Sequence, residues 1–226
     1  MRKLAWPIAF GVIGTAILIG LGTWQLQRLA WKTAIIDRIE ARLAETPVAI
    51  PESPTEGADE YRRVVTEGQI GVGELHVLTS AKGAGPGFRV IAPFTTDDGR
   101  RLLLDRGFVP EAAKGSTRQI GGARITGTLL WPDETDSFTP APDIEDNLWF
   151  ARDVVPMARE LGAMPVLVVA ADSTIIGAPP GAQPTPLPVT VNIPNNHLEY
   201  VVTWYGLAMV WAGMSIFWIL RLRRQA

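Results

Sequence analysis

The sequence predicts an α+β membrane protein in which two transmembrane helices flank a mainly antiparallel β domain, barrel- or sandwich-like, held outside the bilayer. Three observations carry this reading. Leu4 to Gln27 and Tyr200 to Leu220 contain no charged residue. The text between them breaks into short β-like runs punctuated by Gly, Pro and Asp. Arg221, Arg223 and Arg224 follow the second uncharged stretch, whereas no Lys or Arg occurs from Glu160 to Glu199 before it.

At about 1.5 Å of rise per helical residue, either uncharged stretch exceeds the hydrocarbon core of roughly 30 Å. Lys and Arg near span ends resist translocation, so the C-terminus is expected in the cytoplasm, and two spans bring the N-terminus to the same side. The first span alone is equivocal: Arg2 and Lys3 precede it, while Arg28, Lys32, Arg38 and Arg42 follow it. With Arg2, Lys3, Arg221, Arg223 and Arg224 set aside, 16 basic residues face all 23 acidic ones, so the middle of the chain is acidic. An acidic domain outside and basic tails inside agree with the same rule. A cleaved signal peptide competes for the first segment, but its apolar stretch is longer than an h-region, which favours an uncleaved anchor, and no Arg- and Ser-rich transit sequence precedes it, so a bacterial inner membrane is expected rather than organelle import. No cysteine is present, which excludes disulfides, thiolate metal sites and covalent haem attachment in the periplasm.

The expected organisation is a first span with a short cytoplasmic N-terminus (residues 1–27), a helical extension (28–46), a periplasmic β-rich domain (47–194), a second span (195–220) and a cytoplasmic tail (221–226). The extension follows from helical spacing of Leu29, Ile36, Ile39 and Leu43, and Pro47 with the stretch Pro51 to Asp59 should end it. Strands are expected over Tyr61 to Ile70, Glu74 to Thr79, Phe88 to Thr95, Arg101 to Val109, Arg124 to Trp131, Leu148 to Arg152 and Pro165 to Ala170, with one short helix over Val154 to Leu161. Gly71 to Gly73, Gly83 to Gly87, Asp97-Asp98-Gly99 and Gly121-Gly122 supply the turns. Asp133 to Asp146 and the proline-rich Ala178 to Pro188 read as solvated loops.

The chemistry is bounded by scarcity. Histidine occurs only at 76 and 197, so a multi-histidine metal site is excluded, and the five methionines are too scattered for copper carriage. No Gly-x-Ser-x-Gly elbow, P-loop or His-Glu-x-x-His is present, and no face is basic enough for nucleic acid. His76 lies in an expected strand, where a lone histidine is usually a satisfied domain residue. His197 stands just before the second span, and seven-residue steps lead from it to Trp204, Trp211 and Trp218. Seven residues cover about 700°, so these side chains form one slowly drifting stripe. Two readings stay open: an imidazole placed to ligate a planar apolar cofactor such as haem, or an interfacial histidine above an ordinary aromatic belt.

Leu21-Gly22-Thr23-Trp24-Gln25-Leu26-Gln27-Arg28 with Lys32, Tyr61-Arg62, Gly87-Phe88, Pro93-Phe94, Asp105-Arg106-Gly107-Phe108-Val109-Pro110, Asn195-Asn196-His197-Leu198-Glu199-Tyr200 and Thr203-Trp204-Tyr205-Gly206-Leu207-Ala208 occur in this order within the two-span frame. On these blocks the chain resembles the surfeit locus protein 1 family, membrane factors for assembly of haem-a-containing cytochrome c oxidase. Phe108 stands where many members have Trp, and Val201-Val202 where Ala is frequent. The resemblance implies a non-enzymatic factor that binds haem a transiently and assists its insertion into oxidase subunit I, with haem a synthase and membrane lipid as further partners. It implies His197 as the ligand to haem iron. By position, Trp204, Tyr205, Arg28 and Trp24 are further cofactor-binding candidates, Arg28 lying just past the first span, where it could pair with a haem propionate. Arg28 as an interfacial snorkelling residue is the competing reading, and Arg62 and Arg106 are expected to be structural or partner-contacting. The alternative function is a cofactor-free scaffold for subunit I.

Overall fold

The computed structural model describes residues 2–175, 183–191 and 193–224. The chain forms two compact units, one of Met1–Ile39 with Val191–Ala226 and one of Glu40–Thr190.

The first unit is a helix pair. Helix α1 runs Arg2–Ala44 and helix α4 His197–Arg224, and both are long and apolar enough to cross a membrane. Helix α1 continues past Gln27 without a break to Ala44. Along α1, Leu4, Pro7, Gly11, Gly14, Leu18, Gly22, Gln25, Leu29 and Lys32 are buried or half-buried, and along α4 Val201, Trp204, Ala208, Trp211, Ser215, Ile219 and Leu222 are. Alternating steps of three and four keep such a stripe facing one neighbour, as in a coiled-coil seam. The partners run in opposite directions: Gly11 meets Ser215, Gly14 meets Trp211, Gly22 meets Tyr205 and Gln25 meets His197. The polarity of α4 also suits its ends, with Glu199 in the first turn and Arg221, Arg223 and Arg224 in the last.

The second unit is a closed barrel. Strands β1 (Arg63–Ile70), β2 (Leu75–Ala81), β3 (Gly85–Thr96), β4 (Arg101–Pro110), β5 (Gly121–Leu130) and β6 (Leu167–Ile175) lie in the order β1-β5-β6-β4-β3-β2, and β1 pairs back onto β3. Five strands thus close the ring, and β2 sits outside it on the edge of β3. Strand β3 serves both neighbours because it is long: residues 85–91 pair with β2 and 94–96 with β1. All ladders are antiparallel except β4–β6, which is parallel. That exception follows from connectivity, since a parallel neighbour requires a crossover, and the segment carrying helix α3 (Val154–Leu161) precedes β6.

Side chains alternate across the barrel wall. Leu102 and Leu104 point into a core with Val64, Phe94, Ile125 and Val168, whereas Leu103 points out to a second cluster with Ile91, Met157, Leu167 and Val169, under α3. Strand β4 is therefore buried on both faces, which explains its near-continuous apolar text, and closure leaves the ring without an open edge. Helix α3 ends at Gly162, whose left-handed φ of 60° forms the C-terminal cap.

Three expectations change. Leu148 to Arg152 forms no strand; Trp149 makes an isolated parallel bridge to Val77, and Leu148 an isolated antiparallel one to Asp143. The run is apolar because Trp149 and Ala151 pack inward, with Trp149 in the cluster under α3, and burial of a short segment needs no ladder. Asp133 to Asp146 is largely exposed, as expected of a loop, but the proline-rich segment is not simply solvated. Its residues 178–182 lie outside the described residues. Beyond them, Pro184 is buried and Thr185 exchanges both backbone hydrogen bonds with Phe108, at 2.7 and 2.8 Å. A single helical turn, α2 (Glu56–Asp59), also interrupts the stretch expected only to end the first helix.

Candidate functional site

The site is built at the end of the helix pair where α4 begins. Pro194 lacks an N–H and sets the chain direction just before the helix. Its carbonyl accepts a hydrogen bond from Lys32 Nζ on α1, and Asn195 Nδ2 reaches Thr33 Oγ1 at 3.4 Å. The approach to α4 is thereby tied to α1, and His197 follows as its first residue.

His197 is half-buried, and its Nδ1 lies 2.7 Å from Oε1 of Gln25. Gln25 is 9% exposed. It is a buried amide in an uncharged α1 stretch, where an unpaired polar group would be costly. Two turns along α4, the Tyr205 hydroxyl is 3.1 Å from Thr23 Oγ1, and the Tyr205 ring lies against Gly22, where an added Cβ would approach it to 3.1 Å. Trp204 is half-buried beside it. Farther along, Trp211 packs into Gly14 and against Phe10, with ring centroids 5.0 Å apart, while Trp218 is exposed. The tryptophan stripe thus starts within the helix pair and drifts out of it.

Arg28 and Trp24 lie on a neighbouring face of α1. The guanidinium of Arg28 stands 5.9 Å from the Trp24 ring and 5.2 Å from the Trp31 ring, and all three residues are exposed. Spacing of four and three residues places them in one row. The structure brings Trp24 and Arg28 together, and separately joins His197 to Gln25 and Tyr205 to Thr23.

Gln25 was not singled out from sequence. The available signal is positional: of the two amides in the uncharged stretch, Gln25 and Gln27, only Gln25 falls at the next seam position after Gly22, and polar groups within apolar helix pairs are usually paired. A single imidazole is a nitrogen donor able to bind a metal through whichever ring nitrogen is not otherwise engaged. Among the described residues no group of three or more His, Cys, Asp and Glu is placed to hold a metal ion. Among the described residues, the imidazole of His197 engages Gln25 through Nδ1.

The polar groups of the barrel are engaged elsewhere. His76 is buried, with Nε2 2.8 Å from Glu74 Oε1 and its ring 5.8 Å from Phe88. Arg118 Nη1 also bonds to Glu74 Oε1, so that carboxylate serves both. Arg62 pairs with Asp59, and Arg106 bonds to Gln119 O at 2.8 Å and to the Gln183 side chain. Burial lowers the pKa of the Arg106 guanidinium, with the nearby Arg118 charge acting in the same direction. Asp105 is fully buried between Arg89 at 2.7 Å and Arg152 at 3.4 Å, and Arg152 extends the network to Glu134. These groups fasten strands and loops.

The fold and site define a class: a closed β-barrel inserted between two apolar helices able to span a membrane, with a single imidazole at the head of the second. Residues 12–209 match the SURF1 family. Surfeit locus protein 1 of Homo sapiens is 35% identical over 229 residues, covering 91% of this chain and 74% of that protein. Surfeit locus protein 1 of Takifugu rubripes is 34% identical, covering 90% of this chain and 91% of that one, and a SURF1-like protein of Monosiga brevicollis is 34% identical over 89% and 83%. The chain belongs to the SURF1 family.

Proposed function

We propose that this protein is an assembly factor for haem-a-containing cytochrome c oxidase, which binds haem a through His197 and assists its insertion into subunit I. The observation that carries the reading is the half-buried His197 at the start of α4, engaged by Gln25 through Nδ1. Its Nε2 serves as the iron ligand. In this reading both termini are cytoplasmic and the barrel is periplasmic, which the basic C-terminal tail and the acidic middle of the chain support, and His197 then stands at the outer edge of the bacterial inner membrane.

That position suits the cargo. Haem a has an apolar ring and a long isoprenoid tail, which an aqueous carrier would expose and a membrane edge need not. Trp204 and Tyr205 follow His197 by two turns and offer aromatic surface to the ring. Arg28, steadied by Trp24 and Trp31, supplies a cation for a propionate. One neutral ligand holds iron loosely enough for handover from haem a synthase to subunit I. Its work is binding and transfer rather than catalysis.

The purified protein, made together with haem a biosynthesis, should show a Soret band. His197→Ala should lose it while keeping the far-ultraviolet dichroism of the wild type. Haem retained at full stoichiometry by the variant defeats the ligand assignment. A second reading, a cofactor-free scaffold for subunit I, draws on the seating of Trp211 against Gly14, which devotes part of the aromatic stripe to helix pairing. A wild-type protein without a Soret band that still co-purifies with subunit I selects the scaffold.

A further inference from the structure

The contact between Gln25 and His197 fixes more than a distance. An amide oxygen has lone pairs and no proton, so an imidazole nitrogen 2.7 Å from Gln25 Oε1 must be the donor. The proton therefore sits on Nδ1. In a neutral ring the lone pair then belongs to Nε2, the nitrogen farther from the backbone. We propose that Gln25 is a positioning residue that holds His197 as the Nδ1–H tautomer and presents Nε2 for coordination. The inference deepens the proposed haem site and rests on the reading of His197 as the iron ligand.

Three features of the helix pair support the assignment. Gln25 is 9% exposed, so water competes weakly for its carbonyl. It occupies the α1 seam one step beyond Gly22, where the Tyr205 ring bears on the backbone and limits how far the helices can slide. His197 is fixed from the other side by the bonds from Lys32 to Pro194 and from Asn195 to Thr33 immediately before it. Both partners are therefore placed by backbone elements, and a ring held by one hydrogen bond keeps a defined plane. Ligating histidines commonly donate their other ring N–H to an oxygen acceptor, which sets the tautomer and raises ligand basicity; losing such a partner typically costs about 10- to 100-fold in metal affinity.

The test begins without haem. Full-length protein labelled with 15N-histidine is purified in detergent at mildly alkaline pH, and its ring nitrogens are read by long-range proton–nitrogen correlation. Only two histidines contribute, and the signals lost in His197→Ala identify the relevant ring. A pyrrole-type Nδ1 and a pyridine-type Nε2 are expected in the wild type. In Gln25→Met, which keeps an unbranched side chain of similar length without the acceptor, the proton should redistribute toward Nε2. Haem affinity, read by Soret titration, should fall about 10- to 100-fold. Gln25→Glu retains an acceptor and should keep the Nδ1 proton.

An Nε2–H tautomer in the wild type overturns the proposal, as does a Gln25→Met protein with an unchanged tautomer. If Gln25→Met shifts the tautomer as expected and the wild type takes up no haem, the positioning role stands and the haem-ligand reading fails. The two are thereby separated.

Discussion

Trp211 occupies the space that a side chain at Gly14 would need. A Cβ built on Gly14 would lie 2.3 Å from Trp211 Nε1, and that indole N–H bonds to the carbonyl of Gly11 at 3.3 Å. A β-carbon at residue 11 would likewise lie 2.8 Å from Ser215 Cβ. Between lipid-facing helices there is little hydrophobic force to drive association, so close contact across small residues becomes the main source of pairing.

Gly14→Ile should therefore force the indole out of its notch and separate α1 from α4. Overpacking of this kind costs about 1–3 kcal/mol. Thermal unfolding in detergent should show a lowered midpoint for the helical signal. Gly20→Ala, at a position where no atom lies within 4 Å of the added Cβ, should leave it unchanged. Equal effects of the two substitutions would show that the notch does not hold the pair.

In the barrel, Gly107 carries the backbone at a φ of 106°, and a Cβ there would fall 2.0 Å from the carbonyl oxygen of Thr185. Gly107→Ala combines positive-φ strain with a collision against backbone that cannot rotate away, and should destabilise by more than about 1 kcal/mol. Because Phe108 and Thr185 exchange backbone hydrogen bonds next to it, hydrogen exchange at those two amides should accelerate most. Uniform protection equal to wild type would refute this account of the glycine.

Asp105 is the buried counter-charge for Arg89 and Arg152. Asp105→Asn keeps the shape and removes the charge, leaving two guanidinium groups against each other. Breaking a buried pair this way costs about 3–5 kcal/mol, and the lower end applies because Arg152 retains Glu134. Urea unfolding followed by near-ultraviolet dichroism of the barrel tryptophans measures it. A loss within the error of wild type would mean that the network contributes no stability.

Glu134 sets a pH dependence. Burial pushes its carboxyl up, but hydrogen bonds and charge from Arg152 outweigh burial and hold it below the ordinary glutamate value. The unfolded chain then takes the proton first as pH falls. The pair's stabilisation is complete above the ordinary glutamate range and is lost as pH drops through the lower folded value. The side chain is 38% exposed, so screening keeps the effect small. Urea midpoints should decline less steeply from about pH 5 toward pH 3 in Glu134→Gln than in the wild type. Parallel curves would remove Glu134 from the acid response.

What was legible in the sequence was whatever depends on local pattern. Hydrocarbon thickness fixes the length of a span, so two uncharged stretches sufficed to mark α1 and α4, and short β-like runs bounded by turn residues marked the six strands. Leu148 to Arg152 misled for the same reason: its apolar residues are buried by α3 and the β4 wall, and text alone cannot distinguish burial beneath a helix from burial in a ladder. The stripe from His197 to Trp218 was visible, but which of its members meet α1 was not.

The chain by itself determined two membrane-length helices, a β-rich acidic middle, the absence of thiol chemistry and one histidine at a span boundary. Only the tertiary structure decided that β1 returns to β3 to close a barrel, that β4 and β6 run parallel, and that Gln25 meets His197 across 172 residues of sequence. The physical reason is the same in each case. A hydrogen bond between distant segments is set by how glycines and apolar residues let the backbones approach, and that geometry has no period along the chain.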